Sequence, residues 1–304
     1  MPVSRIQITS GASGGLVLLA GLLLDPGDRL LITDPGYPCT KVFARLVGAQ
    51  TRAIALQAQR GFQIALSDVE AAWEEQDRGV LLASPANPTG TMLAADTLSE
   101  IGRWVARRDG FVILDEIYQG LVHEESPYAS GLAVRDDVFV LNSFSKFFGM
   151  TGWRLGWVVI PEDATERFTK LAQNLVISPS SVAQSAAIAA FSDASMVVHQ
   201  ERAAEFSRRS KRLAAGLLNL GFTIPVMPAG AFYLYVDVTH TGMLSDEFCW
   251  RLIEQYQVAV TPGKDFGDFE SERFVRFAYT TDSNSIELGL QRIEQALTAW
   301  GIRR

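Results

Sequence analysis

Five short apolar runs, at residues 29–33, 79–83, 111–114, 138–141 and 157–160, restrict the fold more than any other feature of this 304-residue chain. They are rich in Val, Ile and Leu and are bounded by Pro, Gly, Asp or Asn. Unbroken apolar runs of this length suit strands covered on both faces. Longer stretches with helical periodicity lie between them. One begins near Gly14. A second spans 67–75, where Ser67 and Glu70 have the spacing of a capping box. A third spans 95–108 and meets a stop signal at Gly110. Strand and helix in alternation predict an α/β fold: a mostly parallel sheet with helices on both faces.

The pattern changes after about residue 193. A long helix at 195–220 leads to strands at 222–226 and 232–238, a helix at 246–255, a strand at 274–279 and a last helix at 286–300. This order predicts a smaller C-terminal α+β unit. We divide the chain into a large domain, 1–205, and a small one, 206–304.

Composition narrows the partners. The net charge is −7 and no basic block stands out, which disfavours nucleic acid and anionic membranes. The longest apolar stretch, 15–24, is too short to cross a bilayer. The two cysteines, Cys39 and Cys249, and the three histidines lack metal-ligand spacing, so no metal is expected. The N-terminus lacks a basic region followed directly by an apolar one, and a cytoplasmic enzyme is the expectation.

In an open parallel sheet, ligands gather beyond the carboxyl ends of the strands. Lys146 follows the run at 138–141, with Ser143 and Ser145 before it and Arg154 eight residues after it. A lysine amine can form a Schiff base with a carbonyl cofactor, while hydroxyls and a guanidinium can hold a phosphate. Asn87 follows the run at 79–83. Asp115 and Tyr118 follow the run at 111–114. Gly11-Ala12-Ser13-Gly14-Gly15 precedes the first helix, where free N–H groups favour an anion. Each feature also has a plain structural reading. Asn87-Pro88-Thr89-Gly90 is a good turn, Asp115-Glu116 can cap the element after the strand, the glycines can serve a tight turn, and Tyr37 can be a packing aromatic.

Taken in order, the segments Asp34-Pro35-Gly36-Tyr37-Pro38, Asn87-Pro88-Thr89-Gly90, Asp115-Glu116-Ile117-Tyr118 and Ser143-Phe144-Ser145-Lys146 with Gly152-Trp153-Arg154-Leu155-Gly156 resemble those of the class I/II aminotransferases. These are pyridoxal-phosphate enzymes of fold type I. The resemblance runs from about Thr9 to the C-terminus. It implies that Lys146 holds the cofactor and shuttles the proton. It implies that Asp115 pairs with the pyridine nitrogen, that Asn87 and Tyr118 bond the phenolic oxygen, and that Tyr37 stacks on the ring. Ala12, Ser13, Ser143, Ser145 and Arg154 would hold the phosphate. Arg276 would clamp the substrate α-carboxylate.

The reaction so implied is ping-pong transfer of an amino group between an α-amino acid and a 2-oxo acid, in a homodimer. A carbon–sulfur β-lyase would use the same residues, a non-catalytic cofactor-binding module would keep only the binding, and an inert truncated form would lose activity. Family members usually carry a substantial segment before the Gly-Ala-Ser turn, where this sequence has ten residues. Part of the small domain, a lid and subunit contacts are therefore expected to be lacking. Ala172 and Gln173 stand near where some dicarboxylate-specific members place an arginine.

Overall fold

The computed structural model describes residues 1–123 and 130–302. In chain order the first half contains β1 (Ile6–Thr9), α1 (Gly11–Leu23), β2 (Arg29–Asp34), α2 (Thr40–Leu46), β3 (Gln50–Ala55), α3 (Leu66–Ala72), β4 (Asp77–Ala83), α4 (Ala95–Ala106), β5 (Phe111–Asp115), α5 (Gly131–Val134), β6 (Phe139–Ser143) and β7 (Gly156–Val159). Three helices follow: α6 (Thr165–Leu175), α7 (Ser181–Ala190) and α8 (Asp193–Asn219). The chain closes with β8 (Tyr233–Asp237), α9 (Ser245–Tyr256), β9 (Thr261–Pro262), β10 (Phe274–Ala278) and α10 (Ser283–Ala299).

Seven strands form one sheet in the order β1-β7-β6-β5-β4-β2-β3. The run from β3 through β2, β4 and β5 to β6 is parallel, and β7 is antiparallel to both its neighbours. Alternate residues of each strand enter separate cores. Leu30, Ile32, Leu81, Ile113 and Leu141 pack with α1 and α6 on one face. Leu31, Val80, Leu82, Val112, Leu114 and Val140 pack with α4 on the other. Burial on both faces is why these strands carry apolar residues without interruption. In α4 the inward positions Leu98, Ile101, Trp104 and Val105 recur at helical spacing.

The second sheet is small and antiparallel, in the order β8-β10-β9. It packs against α8, α9 and α10 around Leu213, Leu217, Val236, Phe248, Val275 and Ile293. The division expected at 205/206 falls inside α8. Asp34, at the end of β2, holds the connection between β9 and β10 by accepting the Asp268 and Phe269 N–H groups at 2.8 and 3.2 Å.

Several local expectations need correction. The helix expected over 67–75 is α3, and its N-terminal carboxylate is Asp68, which accepts the Ala65 N–H at 2.8 Å. Ser67 and Glu70 therefore do not form the capping box. The strand expected at 222–226 is reduced to one bridge, Thr223 to Asp237, because Pro225 has no N–H to offer a neighbour. At the end of α4 the left-handed residue is Asp109, with φ 53°, rather than Gly110. Gly110 is needed for space, since a Cβ there would lie 2.8 Å from Val105 and 2.9 Å from Trp73.

Candidate active site

The carboxyl ends of β4, β5 and β6, the N-terminus of α1 and one face of β10 enclose a cavity of about 240 Å³. Ala12, Ser13, Tyr37, Asn87, Asp115, Tyr118, Ser143, Ser145, Lys146, Arg154 and Arg276 all line it. Every site residue singled out from sequence is therefore brought to one place. Ala172 and Gln173 lie in α6 and do not line it.

Glycines set the approach of α1 to the sheet. A Cβ on Gly15 would lie 2.6 Å from Leu141 and 2.9 Å from Val158, and one on Gly156 would lie 2.9 Å from the Ala12 nitrogen. The first turn of α1 consequently rests on the ends of β6 and β7. Gly11 has φ +71°, and a Cβ there would stand 2.8 Å from Arg154 Nη2. Ser10 at the N-cap makes no side-chain capping bond among the described residues. Unsatisfied N–H groups, the helix dipole and a guanidinium thus share one corner, the arrangement that binds a phosphate.

The loop after β6 is self-supporting. Ser143 Oγ accepts the Ser145 N–H at 3.0 Å, and Thr151 Oγ1 donates to the Ser145 carbonyl at 2.8 Å. Arg154 Nη1 donates to the Thr151 carbonyl at 2.8 Å and to Ser145 Oγ at 3.4 Å. Arg154 itself is left-handed, with φ 53°, a conformation disfavoured for a non-glycine residue and often found at functional sites.

Lys146 projects between two aromatic rings, its Nζ 5.6 Å from the centroids of Tyr118 and Phe232. Burial pushes its pKa below the usual lysine range. Asp115 opposes that shift, while Arg276 and Arg154 add to it. Asp115 is 6% exposed, and burial raises its carboxyl to about 7. The Ile117 N–H, 3.0 Å from Oδ1, works against that rise. Glu116 takes the other role open to this pair. It accepts the Gly131 N–H at 2.7 Å and the Ser130 hydroxyl at 3.0 Å, and so caps α5.

Arg276 sits on β10 with its guanidinium carbon 4.2 Å from the Tyr233 ring and 4.6 Å from the Phe266 ring. Nη1 donates to Asn87 Oδ1 at 2.8 Å and Nη2 to Thr261 Oγ1 at 3.3 Å. Its Nε is buried without a hydrogen-bond partner. Arg276 makes no ion pair among the described residues, so the fork remains available to a carboxylate.

Two polar lining residues, Thr151 and Tyr233, escaped sequence reasoning. Thr151 braces the loop after β6 through the Ser145 carbonyl. Tyr233 hydrogen-bonds Tyr118 through their hydroxyls at 2.9 Å. A tyrosine entering a strand reads as core, and only its register beside Arg276 on β10 distinguishes it.

The sequence pattern described as aminotransferase class I and II matches residues 1–293. A valine–pyruvate aminotransferase of Mycobacterium tuberculosis is 35% identical over 289 residues, which cover 95% of this chain and 74% of that protein. An aspartate aminotransferase of Bacillus subtilis is 30% identical over 302 residues, 96% of this chain and 76% of the relative. The crystal structure of an aminotransferase from Mycobacterium tuberculosis superposes with a TM-score of 0.93 at 35% identity, covering 98% of this chain and 77% of that one. This chain accordingly spans about three quarters of the length of these relatives. With its sequence, its sheet order and a half-buried lysine sharing a cavity with the phosphate corner all in agreement, the chain belongs to the class I and II aminotransferases and is a pyridoxal-phosphate-dependent transaminase.

Proposed function

We propose that Lys146 is the residue that holds pyridoxal phosphate and moves the proton, and that Asp115, Asn87, Tyr118, Tyr37 and Arg276 orient cofactor and substrate around it. The observation that carries this reading is a half-buried lysine in one cavity with a buried carboxylate and a carboxylate-ready arginine. The residues fit the cofactor at each of its parts. The N-terminus of α1 with Ser143, Ser145 and Arg154 suits the phosphate dianion. Asp115, whose carboxyl is raised by burial, suits a cationic ring nitrogen, which would restore its ionised form. Tyr118 and Asn87 supply donors for a phenolic oxygen, and Tyr37 supplies a ring face.

Bound there, the cofactor supplies an electron-withdrawing ring that stabilises negative charge at the substrate α carbon. This chain's own contribution is placement and proton transfer. Arg276 takes the α-carboxylate of the amino acid and, in the return half, that of the 2-oxo acid. Asn87 is fixed by Arg276 and steadies the same corner. Lys146 Nζ takes the α proton, for which an amine of lowered pKa is suited near neutrality. The rings of Tyr118 and Phe232 restrict water around that nitrogen.

The apolar surface of α6, α7 and α8 supports a homodimer. Leu175 in α6, Val182 and Ile188 in α7 and Val197 in α8 are 60, 68, 76 and 53% exposed. Large apolar side chains left exposed along one stretch of chain mark an association surface. Phe191, 57% exposed, packs edge-on against Phe144 and Phe148 beside Lys146, at 5.7 and 5.0 Å, so association would brace the catalytic loop.

The test is covalent mapping. Borohydride reduction of protein loaded with pyridoxal phosphate should place the label on the peptide containing Lys146. Label on another lysine overturns the assignment. Lys146→Ala should take up no label and should not exchange amino groups between an amino acid and a 2-oxo acid.

A further inference from the structure

The hydroxyl pair Tyr118–Tyr233 lies between the two halves of the site. Tyr233 is the first residue of β8 and is 6% exposed. It faces Ala278 in the antiparallel register, which makes Arg276 its diagonal neighbour on the same sheet face. Its ring underlies the Arg276 guanidinium at 4.2 Å. Its hydroxyl meets that of Tyr118 at 2.9 Å, and the two rings pack edge-on at 5.8 Å. One side chain therefore touches both the proposed carboxylate clamp and the proposed donor to the cofactor.

We infer that Tyr233 is a positioning residue that couples carboxylate binding at Arg276 to the hydrogen bond Tyr118 makes with the cofactor. The inference rests on the proposed roles of Tyr118 and Arg276. A phenol has one proton. If Tyr118 directs its proton at the cofactor's phenolic oxygen, the contact to Tyr233 is satisfied only when Tyr233 donates. A cation over the Tyr233 ring draws electron density from it and strengthens that donation. A bound carboxylate neutralises the cation and weakens both hydrogen bonds in series. The phenolic oxygen then holds more negative charge, and the Lys146 nitrogen beside it keeps its proton more firmly.

The neighbouring charges work in the same place. Asp115, Arg154 and Arg276 act on Lys146 directly. Asp115 and Arg276 act on Tyr118, and Tyr233 also faces Tyr37 and Tyr279. Part of any carboxylate effect on Lys146 is thus direct, part passes through Asn87, which accepts from Arg276 at 2.8 Å, and the hydroxyl of Tyr233 carries a further share.

The experiment is a spectrophotometric pH titration of protein loaded with pyridoxal phosphate, with and without isovalerate, a carboxylate that lacks an amine. In wild type, isovalerate should raise the pKa of the visible band. In Tyr233→Phe that rise should shrink by about half a pKa unit, roughly threefold in proton affinity. The pKa without isovalerate should move up by a similar amount. Isovalerate affinity should stay within about threefold, because the ring beneath Arg276 is kept. An unchanged titration in Tyr233→Phe, with and without isovalerate, overturns the coupling. Tyr118→Phe separates the two readings: an unmoved pKa in that variant defeats the role of Tyr118 itself. Should Tyr233→Phe not fold, Tyr118→Phe still decides, since Tyr233 loses its acceptor there and the isovalerate-dependent rise must shrink likewise.

Discussion

Asp115→Asn should stabilise the cofactor-free protein at alkaline pH while it damages the enzyme. The carboxyl is 6% exposed, and its pKa rises from the ordinary 3.8 to about 7 because burial disfavours the charge. For an acid this means that the folded state holds the proton more tightly than the unfolded state does. The penalty is absent below about pH 4, grows as the pH rises through the folded value, and is complete above about pH 7. A rise of that size corresponds to about 4 kcal/mol as an upper bound. Structural relaxation and water entry reduce such penalties, so a gain of about 2 kcal/mol is expected for the variant at pH 8.5. The Asn oxygen can still accept the Ile117 N–H, so the turn after β5 keeps its bond.

The assay is urea unfolding of protein stripped of cofactor, at pH 8.5 and again near pH 5. The stabilisation should be present in full at the first pH and cut to about a third at the second. Adding pyridoxal phosphate should reverse the order at pH 8.5, because the wild-type carboxylate then gains a cationic partner and the amide does not. A stripped variant less stable than wild type at pH 8.5 would show that Asp115 is comfortable as an anion, and the assignment of its partner would lose its physical basis.

Three further outcomes rest on the same geometry. Arg276→Lys keeps a charge but loses the fork, worth about one charge-assisted hydrogen bond, so kcat/KM for amino acids should fall about tenfold to a hundredfold; amines without a carboxylate should be turned over as before, and an equal loss for both refutes the clamp. Gly11→Ala should weaken pyridoxal-phosphate binding about tenfold or more, since the residue has φ +71° and its Cβ would press on Arg154; equilibrium dialysis showing unchanged affinity would refute the phosphate corner. Ile188→Glu, at a position 76% exposed, should shift the proposed homodimer to monomer in sedimentation experiments with little change in the cofactor-free monomer's stability; a wild type that sediments as a monomer refutes the dimer, and a variant that stays dimeric places the interface elsewhere.

Sequence is legible where physics leaves a local mark. Asn87, Asp115 and Lys146 are polar residues that end apolar runs, and polar groups beyond buried strands stand out. The buried strands themselves were legible because both faces are covered. β3 was not, since Gln50–Ala55 is a polar edge strand that reads as loop. The hydroxyl pair was not legible either. Tyr118 and Tyr233 are 115 residues apart, and only the fold brings them within 2.9 Å. The Ser67–Glu70 spacing was misleading: Ala65 and Asp68 have the same spacing two residues earlier, and α3 starts at Leu66, which puts Asp68 at the capping position.

The electrostatics of the cavity explain why two sheets are needed to build it. The large sheet alone supplies the phosphate corner, the lysine and Asp115, which together can hold a cofactor. It supplies no cation aimed at a substrate. Arg276 comes from β10, and two rings and Asn87 hold it so that Nε stays buried and unpartnered. Such a group costs the fold about 1–3 kcal/mol. The tie from Asp34 to the Asp268 and Phe269 N–H groups holds the end of β2, next to Tyr37, to the connection between β9 and β10. Weakening that tie, as in Asp34→Ala, should therefore raise KM for both amino acid and 2-oxo acid more than it loosens the cofactor. Equal losses would mean that the two sheets hold the cofactor jointly rather than dividing the work.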